Sequence, residues 1–97
     1  MGINVSTRIG EKLAREHNVK IEEVVQCFAN REGKFLRDQR AGHQTNPPTQ
    51  WFIAETDYGR NLKVVFMRRS GDVEIKSAFE PNKDELRIYG KYGCGTI

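Results

Sequence analysis

The stretch from residue 50 to residue 81 constrains the fold most, because it reads as three alternating runs of apolar and polar residues divided by two turn signals. Side chains of a strand point alternately to opposite faces, so the apolar residues of each run can be buried together. Gly59 and Gly71 supply the positive φ that short hairpin loops require. We therefore predict an antiparallel meander of three strands. Its expected apolar faces are Trp51 with Ile53, Leu62 with Val64 and Phe66, and Val73 with Ile75 and Phe79, while Lys63, Glu74 and Lys76 are expected to be solvated.

Two short helices are predicted before the meander. The first spans residues Thr7 to His17, where apolar residues recur at helical spacing, with Ser6 as its N-cap. Asn18 suits the left-handed conformation that ends a helix. The second helix spans Ile21 to Asn30, with two glutamates in its first turn. We expect the two helices to form a hairpin on the sheet. The expected core contribution of the first is Leu13, and the apolar stripe of the second is Ile21, Val24, Val25 and Phe28.

The segments between and around these elements are expected to be short or irregular. Residues 1–6 are interpreted as a lead-in, and residues 34–40 as a short strand. Residues 41–49 contain two consecutive prolines and no large apolar side chain, which predicts an exposed loop.

A short C-terminal helix is predicted after the meander. Asn82 and Glu85 resemble a capping box at the start of this helix. Glycines favour the end of the helix, so residues 93–97 are predicted to form a flexible tail. With 97 residues, the chain is expected to form one domain, 1–97. The predicted fold class is α+β: an antiparallel sheet of three to four strands, with the helical hairpin and the C-terminal helix against one face.

The net charge of +3 arises between residues 34 and 79, since residues 1–32 and residues 80–97 each carry equal numbers of basic and acidic side chains. A basic sheet face suggests an anionic partner such as RNA more than a membrane, although an ordinary solvated face is the simpler reading. No apolar run approaches the roughly 20 residues of a membrane span. Cys27 and Cys94 are interpreted as unpaired thiols in a reducing cytoplasm.

The residue types available for chemistry are general acids, bases and cations. No recurring metal-ligand spacing and no glycine-rich phosphate loop is visible, so no cofactor is expected. Cys27 falls near the buried stripe of its helix and is interpreted as a small core residue, while a Cys–His nucleophile stays open. Cleavage of RNA by its own 2′-hydroxyl needs a base, an acid and cations, but no metal. The available groups are His17, His43, Arg40, Arg60, Arg68, Arg69, Lys76, Glu85 and Tyr89.

Several short motifs, in the order in which they occur, resemble the BrnT-like toxins of bacterial type II toxin–antitoxin systems, which are small ribonucleases with a RelE-like fold. The likeness covers roughly His17 to Tyr89. The matching motifs are Glu16-His17-Asn18-Val19 followed by Glu22-Glu23, Gly59-Arg60 before Leu62-Lys63-Val64-Val65-Phe66, Arg69, Ser77-Ala78, and Glu85 with Tyr89.

The resemblance implies a metal-independent ribonuclease that a small antitoxin protein neutralises. It suggests that arginines hold phosphate and that His17 or Tyr89 acts as acid or base. The implied catalytic residues are His17, Arg60, Arg69 and Tyr89, and the implied RNA-binding residues are Arg40, Lys63, Arg68 and Lys76.

The chain departs from the family pattern at three positions that are basic in the family. Glu16, Glu74 and Phe79 occupy them here, although Lys76 could substitute for one cation. The opening strand of the family is also not evident. A non-catalytic module that binds protein or nucleic acid through the same fold is therefore the alternative. An ADP-ribosyl-(dinitrogen reductase) hydrolase is not expected, because those enzymes are large, all-helical and use carboxylate-bound magnesium.

Overall fold

The helices and strands follow the predicted order, with one additional strand at the N-terminus. The computed structural model of the protein describes residues 2–38 and 47–93. Its elements are β1 (Ile3–Asn4), α1 (Thr7–His17), α2 (Ile21–Asn30), β2 (Leu36–Arg37), β3 (Thr49–Glu55), β4 (Asn61–Arg69), β5 (Asp72–Phe79) and α3 (Lys83–Tyr92). The α+β class is therefore confirmed.

The predicted meander forms the centre of a five-stranded sheet with the order β1-β5-β4-β3-β2. β4 pairs antiparallel with both β3 and β5. The two turn glycines adopt positive φ, 84° at Gly59 and 86° at Gly71, as their turns require. An irregularity between Val65 and Phe66 shifts the register against β5, so that Lys76 is an extra residue in that strand.

The prediction that the N-terminal segment is only a lead-in was wrong. Ile3 and Asn4 pair in parallel with Val73 and Glu74, so the sheet is mixed and not purely antiparallel. The Gly2 amide also donates to a carboxylate oxygen of Asp72 at 2.8 Å. A strand of two residues is too short to show a period of two, and only the exposed edge of β5 makes it a strand.

The two predicted helices are confirmed with their caps. The Ser6 hydroxyl accepts a hydrogen bond from the Ile9 amide at 3.2 Å. Asn18 ends α1 with φ 54°, and the Val19 amide donates to the Leu13 carbonyl at 3.1 Å. Val19 packs back over the last turn and is 1% exposed. This tight connection brings α2 beside α1 on the sheet.

α1 and α2 cover one face of the sheet, here called the α1–α2 face. Phe28 of α2 packs against Phe52 and Phe66, with ring centroids 4.7 and 5.5 Å apart. Phe35 joins the same cluster at 4.8 Å from Phe66. The fully buried side chains on this side include most of the predicted core, namely Leu13, Val24, Leu62, Val64, Phe66, Val73 and Ile75, together with Phe52, which the sequence reasoning missed.

α3 packs on the opposite face of the sheet, here called the α3 face, and the prediction of a single covered face was wrong. Trp51 and Ile53 alternate with Phe52 along β3 and therefore point away from α1 and α2. The Trp51 ring lies 5.6 Å from that of Tyr89 in α3. Consequently Trp51 is only partly buried, while Lys63, predicted to be solvated, has a side chain that is 13% exposed.

Two further predictions need correction. In the apolar stripe of α2, Ile21 and Val25 are 46% and 44% exposed, so Val24 and Phe28 alone turn towards the sheet. Of the strand predicted over residues 34–40, the described residues 34–38 contain Leu36–Arg37, paired with β3. The interpretations of Arg40, His43 and Cys94 lie outside the described residues.

We predict that Phe66→Ala lowers the free energy of unfolding by about 3–5 kcal/mol, because truncating a fully buried phenylalanine removes apolar contacts and leaves a cavity. Chemical denaturation followed by circular dichroism measures the change. Tyr58→Ala is the matched control, since this aromatic side chain is 95% exposed, and we expect a change within about 0.5 kcal/mol. Equal losses from both substitutions would contradict the assignment of the core.

Candidate functional site

The implied catalytic arginines lie at opposite ends of the central strand. Arg60 immediately precedes β4, and Arg69 is its last residue. At about 3.3 Å per residue, their Cα atoms are roughly 30 Å apart. One phosphate group therefore cannot contact both arginines, and the predicted catalytic set does not converge.

Arg60 joins four parts of the chain through its guanidinium group. It donates to the backbone carbonyls of Asn18 at 2.8 Å and His17 at 3.1 Å, which are the last carbonyls of α1. It also donates to Glu23 in the first turn of α2 at 3.2 Å, and to Glu80 beyond β5 at 3.0 Å. Through these hydrogen bonds, the Arg60 side chain connects α1 and α2 to the sheet.

The charges around Arg60 reinforce one another. The hydrogen bond from the Lys20 amide, together with Arg60, lowers the pKa of the Glu23 carboxyl despite partial desolvation. Desolvation lowers the pKa of Arg60, but its hydrogen bonds with Glu23 and Glu80 outweigh this effect and raise the pKa. Both groups are therefore held in their charged forms at neutral pH.

His17 and Arg60 are brought together, but through the backbone of His17. The His17 carbonyl accepts from Arg60, whereas its imidazole packs on the Phe79 ring with centroids 5.5 Å apart. His17 is partly buried at the end of α1. Its role as acid or base stays a prediction, but His17 lies beside Arg60, at the opposite end of β4 from Arg69.

Tyr89 and Lys63 connect α3 to the sheet. The Tyr89 side chain is 4% exposed, and its hydroxyl donates to the Lys34 carbonyl at 2.7 Å. Lys63 pairs with Glu85 of α3 at 2.8 Å and lies 4.6 Å from the centre of the Trp51 ring. Both side chains make contacts that stabilise the α3 packing, and their predicted contacts with RNA remain predictions.

A carboxylate lies between two cations next to the β4–β5 turn. Glu74 contacts Arg69 at 3.0 Å and Lys76 at 2.9 Å. Hydrogen bonding and charge from Lys76, and then from Arg69, lower the pKa of Glu74. The Arg69 and Lys76 side chains are 57% and 38% exposed, so all three groups are accessible. We call Arg69, Glu74 and Lys76 the hairpin cluster.

The register irregularity in β5 contributes to the hairpin cluster. Lys76 is the extra residue of this strand, opposite the step between Val65 and Phe66. A bulge of this kind re-aims a side chain and is common beside functional sites. Arg69 and Lys76 were predicted from the sequence to contact RNA, whereas Glu74 was noted only as occupying a position that is basic in the family.

Two arginines lie over one phenylalanine ring on the α1–α2 face. The guanidinium carbon of Arg68 is 5.1 Å from the centre of the Phe35 ring, and that of Arg31 is 4.1 Å from it. Arg68 was predicted to bind RNA, whereas Arg31 and Phe35 were not singled out. The only available signal was the strand alternation that gives Arg68 and Phe66 the same face. No spacing connects Arg31 with either residue.

Cys27 is a core residue, as interpreted from the sequence. It is 0% exposed, and its thiol donates to the Ala54 carbonyl at 3.6 Å. Desolvation, with a smaller effect from Glu23, raises the pKa of this thiol to about 12. It is therefore protonated at neutral pH and is a poor nucleophile.

The described residues hold neither a metal-ligand cluster nor a membrane-spanning helix. Residues 2–38 and 47–93 contain no group of three or more His, Cys, Asp or Glu side chains that could hold a metal ion. In the same part of the chain, no helix is long and apolar enough to cross a membrane.

Comparison with known proteins assigns the chain to no family. No protein-family model matches it, and no curated protein matches its sequence significantly.

We predict that Glu23→Gln lowers the free energy of unfolding at pH 7 by about 1.5–3 kcal/mol, because it removes a charged partner of Arg60. The folded-state pKa of Glu23 lies below its ordinary value of 4.5. The carboxylate therefore stabilises the protein fully above about pH 4.5, and this contribution is lost as the pH falls through the folded-state pKa.

Denaturation curves of wild type and Glu23→Gln over this pH range test the prediction, since their difference should shrink in acid. Glu22→Gln, a change of the same charge in the same helical turn, is the control. A difference that stays constant with pH, or an equal loss in the control, would contradict the role of Glu23.

Proposed function

We propose that the protein is a BrnT-like toxin: a ribonuclease that needs no metal ion and that a small antitoxin protein neutralises. The observation that carries the proposal is the hairpin cluster, in which one carboxylate lies within 3.0 Å of two accessible cations. RNA cleavage by its own 2′-hydroxyl needs a base for that proton and cations for the developing charge. The hairpin cluster combines both, and the order of motifs supports the family resemblance.

In the proposed reaction, Glu74 accepts the proton of the 2′-hydroxyl group. The 2′-oxygen forms a bond to phosphorus, the bond to the 5′-oxygen breaks, and this leaving oxygen takes a proton from water. Arg69 and Lys76 stabilise the negative charge on the phosphorus-bound oxygens. Glu74 is ionised at neutral pH, as a general base must be, although the cations that lower its pKa also make it a weaker base.

The proposal assigns different tasks to the other implied residues. Arg60, Lys63 and Tyr89 hold the helices on the sheet through the contacts described above, so they contribute to folding. Arg68 precedes Arg69 in β4, points to the opposite face of the sheet and contributes to RNA binding.

The alternative is a non-catalytic binding module, which the residues Glu16, Glu74 and Phe79 at positions that are basic in the family favour. Glu74 neutralises part of the charge of both Arg69 and Lys76 before any RNA arrives, which weakens a surface that has only to attract phosphate. The two proposals differ in what Glu74 does: a catalyst needs this carboxylate, whereas an RNA-binding surface is stronger without it.

We predict that Glu74→Gln abolishes RNA cleavage while strengthening RNA binding, since it removes the base and a negative charge together. Arg69→Ala is expected to slow cleavage by about a hundred- to a thousand-fold, because a cation aimed at developing charge acts mainly in the transition state. Single-turnover cleavage of labelled RNA and fluorescence anisotropy measure the two effects separately. Arg87→Ala, at an arginine of α3 whose side chain is 74% exposed, is the control.

Expression in a bacterial host extends this test. The toxin proposal requires growth arrest and loss of RNA with the wild-type protein, and relief by Arg69→Ala. Normal growth with intact RNA in the absence of any antitoxin would contradict it. Tighter RNA binding by Glu74→Gln, without cleavage by the wild type, would establish the binding module in its place.

We also predict that cleavage persists in excess EDTA, because the proposed step uses only protein groups and water. The measurement compares cleavage rates before chelation, after it, and after magnesium is added back. Activity that disappears with EDTA and returns with magnesium would show that a metal ion takes part.

A further inference from the structure

Arg31 and Arg68 bring two positive charges to one aromatic ring. Their guanidinium carbons lie 4.1 and 5.1 Å from the centre of the Phe35 ring, so they are at most about 9 Å apart. Both side chains belong to exposed residues. Within residues 2–38 and 47–93, neither forms an ion pair with a carboxylate, whereas Arg60, Lys63, Arg69 and Lys76 all do.

The three side chains are held in position by the core. The Phe35 ring packs against Phe52 at 5.4 Å and Phe66 at 4.8 Å. Arg31 donates to the Gly33 carbonyl, which fixes its guanidinium group next to the ring. Arg68 follows Phe66 by two residues in β4 and therefore points to the same face. The Phe35 ring and the Arg31 guanidinium group are therefore positioned before any ligand binds, which lowers the entropy lost on binding.

The chemistry of this site fits a single nucleic acid strand. Two like charges near one another repel, and an anion placed beside them relieves that repulsion. Planar guanidinium groups bind phosphate through paired N–H donors and also stack on bases. Single-stranded RNA offers both phosphates and unpaired bases, whereas an acidic peptide offers carboxylates alone.

The position of the site relates it to the hairpin cluster. Arg68 and Arg69 are consecutive residues of β4, so their side chains point to opposite faces of the sheet. We propose that Arg31, Phe35 and Arg68 form a second contact site for single-stranded RNA, so that one strand crosses the β4–β5 hairpin and contacts both faces. This proposal rests on the proposed function in taking RNA as the ligand.

The test compares R31Q/R68Q with R15Q/R87Q, a control that removes two exposed arginines elsewhere on the surface. The probe is a fluorescein-labelled, single-stranded oligouridine with 2′-O-methyl groups, which has no 2′-hydroxyl to attack phosphorus. Its binding is therefore measured whether or not the protein is a ribonuclease. Fluorescence anisotropy over a series of salt concentrations yields the dependence of log K on log salt.

We expect R31Q/R68Q to weaken binding and to reduce the salt slope by about 1.4, because each phosphate contact on a single strand contributes about 0.7. R15Q/R87Q should leave the slope unchanged, and R31K/R68K should retain it because both charges are kept. Thermal melts of each variant verify folding. A slope in R31Q/R68Q equal to that of wild type would overturn the second site.

The failures of the two proposals are distinguishable. RNA cleavage by the wild type together with an unchanged slope in R31Q/R68Q overturns the second site and leaves the ribonuclease standing. The expected change in slope without any cleavage supports the second site and contradicts the ribonuclease.

Discussion

The alternation of side chains along β4 is the constraint on which the rest of the structure depends. This strand lies at the centre of the sheet, so each of its side chains must be accommodated on a defined face. Val64 and Phe66 require the cover of α1 and α2, whereas Lys63 points to the face that α3 covers. A shift of one residue in register would exchange the two sets, burying Lys63 in the aromatic core. The strand pattern thus fixes which side chains each face of the sheet must accommodate.

The cations in and next to β4 and β5 that form ion pairs divide into two groups according to burial. Arg60 and Lys63, with side chains 25% and 13% exposed, have carboxylate partners and connect helices to the sheet. A cation that is taken out of water needs such partners, and removing it would leave a carboxylate unpaired. The cations beside the β4–β5 turn are more exposed and can exchange their partners for a ligand. Reasoning about function from net charge alone counts both groups, although the first already has carboxylate partners within the protein.

Glu74 changes the interpretation of the resemblance to BrnT-like toxins. At a position where the family pattern has a cation, this chain has a carboxylate that contacts Arg69 and Lys76. The absence of an arginine at this position argues against RNA cleavage if catalysis depends on arginines alone. A carboxylate between two cations instead combines a base with electrostatic stabilisation. The ribonuclease proposal needs this carboxylate, whereas an RNA-binding surface is stronger without it, which is why its substitution is informative.

The sequence by itself determined the local elements of this protein, because their signals lie within a few residues. The caps of α1 and α3, the turn glycines and the alternation of β4 specify backbone conformation without distant partners. The two-residue strand β1 could not be predicted, since it exists only through its pairing with β5. Likewise, periodicity shows that Trp51 and Phe52 lie on opposite faces but not which helix covers each.

The same distinction applies to the candidate site. The residue types for anion binding were visible in the sequence, but their partners were not. Only the tertiary structure decided that Arg60 connects two helices to the sheet, that Glu74 lies between two cations, and that Arg31 meets Arg68 over one ring. These contacts join residues far apart in the chain, and their geometry follows from the packing of helices on the sheet. Charge and hydrogen bonding act over a few ångströms in space, whatever the separation in sequence.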